Sequence, residues 1–337
     1  FIFFFFKQKT AYEMGLVDYY PMNDGTGDYA EDLAQGAHLT LNGASWAQPN
    51  GMSLKIDNDA AAEQYDPTFK INTADDWNTF RLLVEDAKGQ RDVYAQLMAD
   101  IDITEPAGVS TGYFRGEFNG NGHTLTCSID KGWNCTAPLQ YVTGNSTIRN
   151  LNVAGNIKGG QFAGGIVGGV DNSATVVVEN CRVSAYINAN RFGGGIVGHA
   201  YSSNLIVRDC RFEGTIHNRG YQVYDNGNPA CFAGAFVGWS DSPTLVVKNC
   251  LDYGTYSRFE RIAPNYVGAT AWAGINNWTT NGTIGRVINS VGSMSADELV
   301  DALGKEWFKD ESGNAVPRVN NEHNLFMADH PKGLQLR

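Results

Sequence analysis

Charge is scarce in this 337-residue chain: 18% of residues are charged against 42% apolar, and there are only 10 Pro, 6 Met and 6 Cys. No long uninterrupted apolar run occurs, so no segment qualifies as a membrane-spanning helix. Acids outnumber bases to give a net charge of −11, and an acidic surface repels phosphate backbones, which argues against nucleic acid as a partner. The six histidines (His38, His123, His199, His217, His323 and His330) form no His-Glu-x-x-His, and nothing in their scatter suggests a nucleophilic triad. No Cys-x-x-Cys exists, so a zinc template is missing. The glycine-rich runs lack a following Lys-Ser or Lys-Thr, which removes a phosphate loop.

What the chain has is glycine, 39 residues of it, set in a repeat. Phe162-Ala-Gly-Gly-Ile-Val-Gly168 recurs as Phe192-Gly-Gly-Gly-Ile-Val-Gly198, as Phe232-Ala-Gly-Ala-Phe-Val-Gly238, and in reduced form as Trp272-Ala-Gly-Ile275. After each aromatic, 18 or 19 residues on, stands Cys181, Cys210, Cys250 or Ser290. Just before these come Asn180, Asp209, Asn249 and Asn289, with Asn150 one copy earlier, and two residues before that column Ile148, Val178, Val207, Val247 and Val287. The residue between them is Arg149, Glu179, Arg208, Lys248 or Ile288. Each copy therefore reads as a short strand with an inward Val, an outward charge and a bend at Asn or Asp, residues that tolerate left-handed backbone.

A fixed period decides architecture before any residue decides chemistry. Copies stacked as parallel strands about 4.8 Å apart turn each column into a ladder. The aromatics would stack inside, the three cysteines would act as small buried apolar groups, and the Asn and Asp side chains would hydrogen-bond up the stack. The expected fold is all-β, a right-handed parallel β-helix (solenoid) with short capping helices at both ends; an antiparallel sandwich explains the Val-rich strands but not matched columns. Cys127 could pair with Cys135, and Cys231 with a neighbour.

These residues carry a resemblance. Gly165-Ile-Val-Gly168, Gly195-Ile-Val-Gly198 and Ala235-Phe-Val-Gly238 resemble the GLUG repeat of bacterial surface proteins, found also in regions of some IgA-specific metallopeptidases. Ile71-Asn-Thr-Ala-Asp-Asp-Trp77, Ala99-Asp-Ile-Asp-Ile103 and Phe114-Arg-Gly-Glu-Phe-Asn-Gly-Asn-Gly-His123 are similar to the segment that precedes such repeats. The resemblance implies an extracellular or cell-surface protein, with the β-helix over 65–295. No peptidase motif is present, so that activity does not transfer.

Four regions follow. Residues 1–14 look like the translation of a sequencing-adapter oligonucleotide preceded by poly-T, so the natural protein is expected to begin near Gly15. Residues 15–64 resemble the opening of a laminin-G or concanavalin-like domain, too short to close a sandwich core. Within 65–295, Trp77, Phe80, Leu83 and Val84 lie at helical spacing behind a Thr73 or Asp75 cap, predicting an end-covering helix over 74–86. Residues 296–337 begin with a Ser295-capped helix, and Trp307 and Pro317 resemble the terminal segment that closes these arrays; an uncovered last strand would be an exposed edge.

For chemistry, Asp100 and Asp102 share one strand face, and Asp24, Asp28 and Asp32 with Asn23 are acids that could serve Ca²⁺, yet neither set has calcium-loop spacing. No cofactor is expected, with Ca²⁺ the one candidate. From Cys210 to Phe232 and from Cys250 to Trp272 the spacing is 22 residues, against 11 in the two preceding copies. Two insertions should therefore leave one corner side by side, the place where repeat proteins often bind. Tyr221, Tyr224, Asp225, Tyr253, Tyr256, Arg258 and Phe259 populate them, aromatic faces among polar groups that suit a sugar or a peptide; packing of the two loops on each other is the plainer reading. The expected function is non-catalytic adhesion or glycan binding, the partner a glycan or a host or bacterial surface protein. The alternative is a β-helix polysaccharide lyase or glycoside hydrolase, which would need a stack of acids or bases where Arg149, Glu179, Arg208 and Lys248 instead change sign.

Overall fold

A computed structural model describes residues 68–109, 111–132, 134–171, 173–218, 232–240, 242, 244–257 and 294–320. Outside these it gives the backbone of short strands at Tyr29–Glu31, His38–Thr40, Ala44–Ala47, Ser53–Ile56, Arg261–Ala263, Thr283–Ile284 and Val287–Ile288. Residues 1–66 with 326–337 form one compact unit and 67–325 another. In the first, Tyr29–Glu31 pairs antiparallel with His38–Thr40, and Ala44–Ala47 with Ser53–Ile56.

The second unit is mostly β, and its large sheets are parallel. Successive repeat copies pair in register: Asn145–Arg149 with Thr175–Glu179, then Asn204–Arg208, then Thr244–Lys248. Ile148, Val178, Val207 and Val247 fall in one column and are fully buried, because period-2 alternation turns them all to the same face. At the end of each strand Asn150, Asn180, Asp209 and Asn249 turn the chain at φ 54°, 53°, 52° and 52°, the left-handed geometry expected of them. Cys181, Cys210 and Cys250 follow, completely buried. Burial raises the Cys210 and Cys250 thiols well above their usual range. Cys127 and Cys135 are free and buried; they belong to different sheets, Cys127 opposite Gly155 and Cys135 opposite Phe162, so the expected pairing does not form.

The last glycine of each repeat lets two copies approach. A Cβ at Gly198 would lie 2.7 Å from the Gly168 carbonyl oxygen, and one at Gly238 2.7 Å from that of Gly198. Phe162 and Phe192 stack with centroids 5.1 Å apart and planes 13° apart, but they form a separate small cluster with Cys135, outside the main core.

Three expectations need correction. The amide ladder is interrupted: Asn150 Nδ2 donates to Asn119 Oδ1 at 2.9 Å, yet Asn180 Nδ2 is buried with no partner, while Asn150 Oδ1 accepts from the Asn320 N–H at 2.8 Å. The fifth copy is out of register with its text. Phe232 pairs with Arg261, not Trp272; Val247 pairs with Ile284, and Cys250 with Val287, not Ser290. Ile284 and Val287 repeat the three-residue step from Val247 to Cys250. Lastly, the charge column does not face solvent throughout. Arg149 is 2% exposed, donating from Nε to Glu117 Oε1 at 2.6 Å and from Nη1 to the Asn320 carbonyl at 2.6 Å. The alternating signs serve neighbouring strands, since Arg208 pairs in the same way with Glu179.

Helix α1 (Ala74–Ala87) is capped by Thr73 in a reciprocal box with Asp76. It buries Trp77 and Phe80 against Phe114 and Phe118, each ring contributing roughly 2 kcal/mol or more. Helix α2 (Ala296–Leu303), capped by Ser295 and Glu298, leads into an antiparallel hairpin of Trp307–Lys309 and Ala315–Pro317. This segment lies along the flank of the repeats: Leu299, Leu303, Trp307 and Ala315 cluster with Leu251, Trp307 Nε1 donates to Asp209 Oδ1 at 3.3 Å, and Arg211 Nη1 donates to the Ala315 carbonyl at 2.6 Å.

Candidate functional site

The register correction moves the expected corner. Cys250 to Arg261 is 11 residues, the ordinary spacing, so only the copy after Cys210 keeps a long connection there, residues 219–231. Tyr221, Tyr224, Asp225, Arg258 and Phe259 lie outside the described residues.

Tyr256 is no loop tip. It pairs with Ile216 and so takes the position held by Ile157 and Ile187 in the inward column of earlier copies. Its ring packs on the core 6.2 Å from Phe212, and its Oη donates to Asp252 Oδ1 at 2.8 Å. Gly254 N–H donates to the same oxygen at 2.8 Å. Burial pushes the Asp252 carboxyl up to about 6 despite both donors. Asp252 and Tyr256 thus brace the bend through residues 252–256, which removes Tyr256 from the list of ligand contacts.

Tyr253 does reach the surface, 37% exposed, with its ring centroid 4.6 Å from the Arg211 guanidinium carbon. Glu213 holds that cation from Oε2 at 2.5 Å and pairs through Oε1 with Arg182. On the same sheet, Tyr186 is 39% exposed and stacks on His217 at 6.0 Å, while His217 Nδ1 lies 2.8 Å from Ser257 Oγ. Beside them Asn188, paired with His217 across the ladder, has its Oδ1 buried without a hydrogen-bond partner. The strand carrying His217 runs directly into the long connection at 219–231. Tyr186, Asn188, Arg211 and His217 therefore share one sheet, and Tyr253 stands at the bend between two of its strands. Tyr186 and Asn188 were missed in the sequence because they sit one copy before the insertion; their signal was the outward set of a regular alternation, with Ile187 and Ala189 buried between and after them.

No family model matches this chain, and no curated protein matches it. A solved structure from Bacteroides ovatus, described as a "putative immunoglobulin A1 protease", is similar at 17% identity and a TM-score of 0.47, covering 77% of this chain and 94% of that one. So weak a likeness carries no argument about activity.

A second recess lies on the flank. A half-open cleft of about 440 Å³ separates Asn150, Asn152, Asn180 and Arg182 on the repeats from Phe308, Val316 and neighbouring residues of the C-terminal hairpin. For the acids expected to serve Ca²⁺, Asp100 Oδ1 accepts from the Thr124 N–H at 2.8 Å and lies 3.2 Å from His123 Nδ1, whereas Asn23, Asp24, Asp28 and Asp32 are outside the described residues. Among the described residues, no three His, Cys, Asp or Glu gather as metal ligands, and no helix is long and apolar enough to cross a membrane.

Proposed function

We propose that this chain is a right-handed parallel β-helix acting as a rigid, non-catalytic glycan-binding scaffold at a cell surface. The observation that supports the reading is a pair of half-exposed rings, Tyr186 stacked on His217 beside the unpartnered Asn188 Oδ1, and Tyr253 at the bend between two strands, held against the buried Arg211. A sugar offers an apolar ring face and a rim of hydroxyls, and such rings with a few fixed polar groups match both. In-register ladders hold these groups at strand spacing, so little ordering accompanies binding. Asp252, the acid whose pKa burial raises to about 6, stands opposite core Phe212 and is held by Tyr256 and Gly254, so it is not offered to a ligand at the tyrosines.

A glycan array combined with incubation on polyuronic acids tests the reading. Retention of a glycan class that Tyr186→Ala and Tyr253→Ala both abolish is the expected result; new reducing ends or unsaturated products would favour the lyase or hydrolase alternative.

A further inference from the structure

The flank cleft offers a different chemistry. Asn150 and Asn180 stand one copy apart, in the same backbone geometry at φ 54° and 53°, each with its N–H bonded to the carbonyl of the next copy, Glu179 and Arg208. Asn150 uses its carboxamide to hold a single residue of extended chain: Oδ1 accepts the Asn320 N–H at 2.8 Å and Nδ2 donates to the Asn320 carbonyl at 3.0 Å. Asn180 is 8% exposed, lines the cleft, and its Nδ2 has no partner. An unpaired buried donor is costly, and the lowest-cost partner is an acceptor delivered along the same path.

We propose that the cleft binds an extended peptide, with the Asn180 carboxamide gripping the N–H and C=O of one residue as Asn150 grips Asn320. The walls fit that occupant. Phe308, Val316, Pro317 and Val319 give an apolar wall for a side chain next to the gripped residue. The cations at the rim are already engaged, Arg182 with Glu213, and Arg318 over the Phe308 ring at 5.2 Å with its Nε donating to the Lys305 carbonyl at 3.0 Å. Asp310 adds a negative charge on the hairpin side, so the cleft selects an uncharged, apolar residue over an acidic one. About 440 Å³ is within the range of small-ligand pockets and suits two or three residues. The site does not depend on glycan binding at Tyr186 and Tyr253.

The test titrates the full chain with acetyl-Gly-Val-Gly-amide, followed by Trp fluorescence and by calorimetry. Asn180→Asp keeps the size and tolerates the left-handed bend while replacing the donor, and it should weaken the peptide at least tenfold with thermal unfolding unchanged. If that variant is unstable, the wild-type protein alone decides, because methylating the Val nitrogen of the peptide removes the N–H and should weaken binding equally. Equal affinity for the methylated peptide, no binding at 10 mM on the order of weak-ligand limits, or binding of free hexoses that Asn180→Asp abolishes would each overturn the proposal. Tyr186→Ala should leave peptide binding intact even if it ends glycan retention.

Discussion

Replacing Asp252 with Asn should stabilise the protein at neutral pH. The carboxyl is 5% exposed, and burial, the largest influence on it, raises its pKa from 3.8 to about 6 against the opposing hydrogen bonds from Gly254 and Tyr256. For an acid whose folded pKa lies above its unfolded one, the fold favours the protonated form. That contribution is complete below about pH 4 and is lost as the pH rises through about 6. A shift of about two units corresponds to roughly 3 kcal/mol. Asn keeps an acceptor oxygen for both donors and carries no charge. Asp252→Asn should therefore be more stable than wild type by up to roughly 3 kcal/mol at pH 7.5, with the gap closing towards pH 4. Urea unfolding followed by tryptophan fluorescence at several pH values across that window measures it, and the difference between the two proteins cancels the other titrating groups. A gap that is constant with pH, or a variant less stable at pH 7.5, would refute the assignment of Asp252 as a buried charge held against desolvation.

Other outcomes follow from the same geometry. Gly198→Ala places a methyl 2.7 Å from the Gly168 carbonyl oxygen, so it should cost on the order of 1–3 kcal/mol in urea unfolding, whereas Gly132→Ala, with open space around it, should be silent. Arg149→Ala removes a buried ion pair with Glu117 and one of the bonds on the Asn320 carbonyl; a loss of about 3–5 kcal/mol in urea unfolding is expected, as for breaking a buried pair from one side. The described thiols are buried, with Cys135 pushed up to about 12, so Ellman's reagent should titrate Cys127, Cys135, Cys181, Cys210 and Cys250 only after denaturation.

The columns that repeat residue type were legible in the sequence: the buried Val, the left-handed Asn and Asp, the thiols and the Thr73-capped helix follow from alternation and backbone preference. The fifth copy was misread because Trp272-Ala-Gly-Ile275 copies the wording of Phe232-Ala-Gly, while strand pairing brings Arg261-Ile-Ala263 opposite it. Strand register, not wording, decides the pairing, and Ile284 and Val287 stand opposite Val247 and Cys250 without sharing the repeat's text. That shift also turned Tyr256 from a loop residue into a column residue. The docking of Asn320 on Asn150 was illegible for a different reason: the two lie 170 residues apart, and no local pattern records a contact of that separation.

The C-terminal segment changes how such an array comes apart. In a stack where each copy touches only its neighbours, strands fray from an end and stability falls off gradually. Here one segment ties Asn150, Asp209 and Arg211 together through contacts 170, 98 and 104 residues apart in sequence. Opening any of these copies requires undocking the same segment, so their amides should exchange with solvent as one block with a shared opening free energy. Docking that segment also closes loops of 98 to 170 residues, and contacts of such separation slow folding. Cutting the chain before residue 294 would convert an all-or-none unit into a graded one.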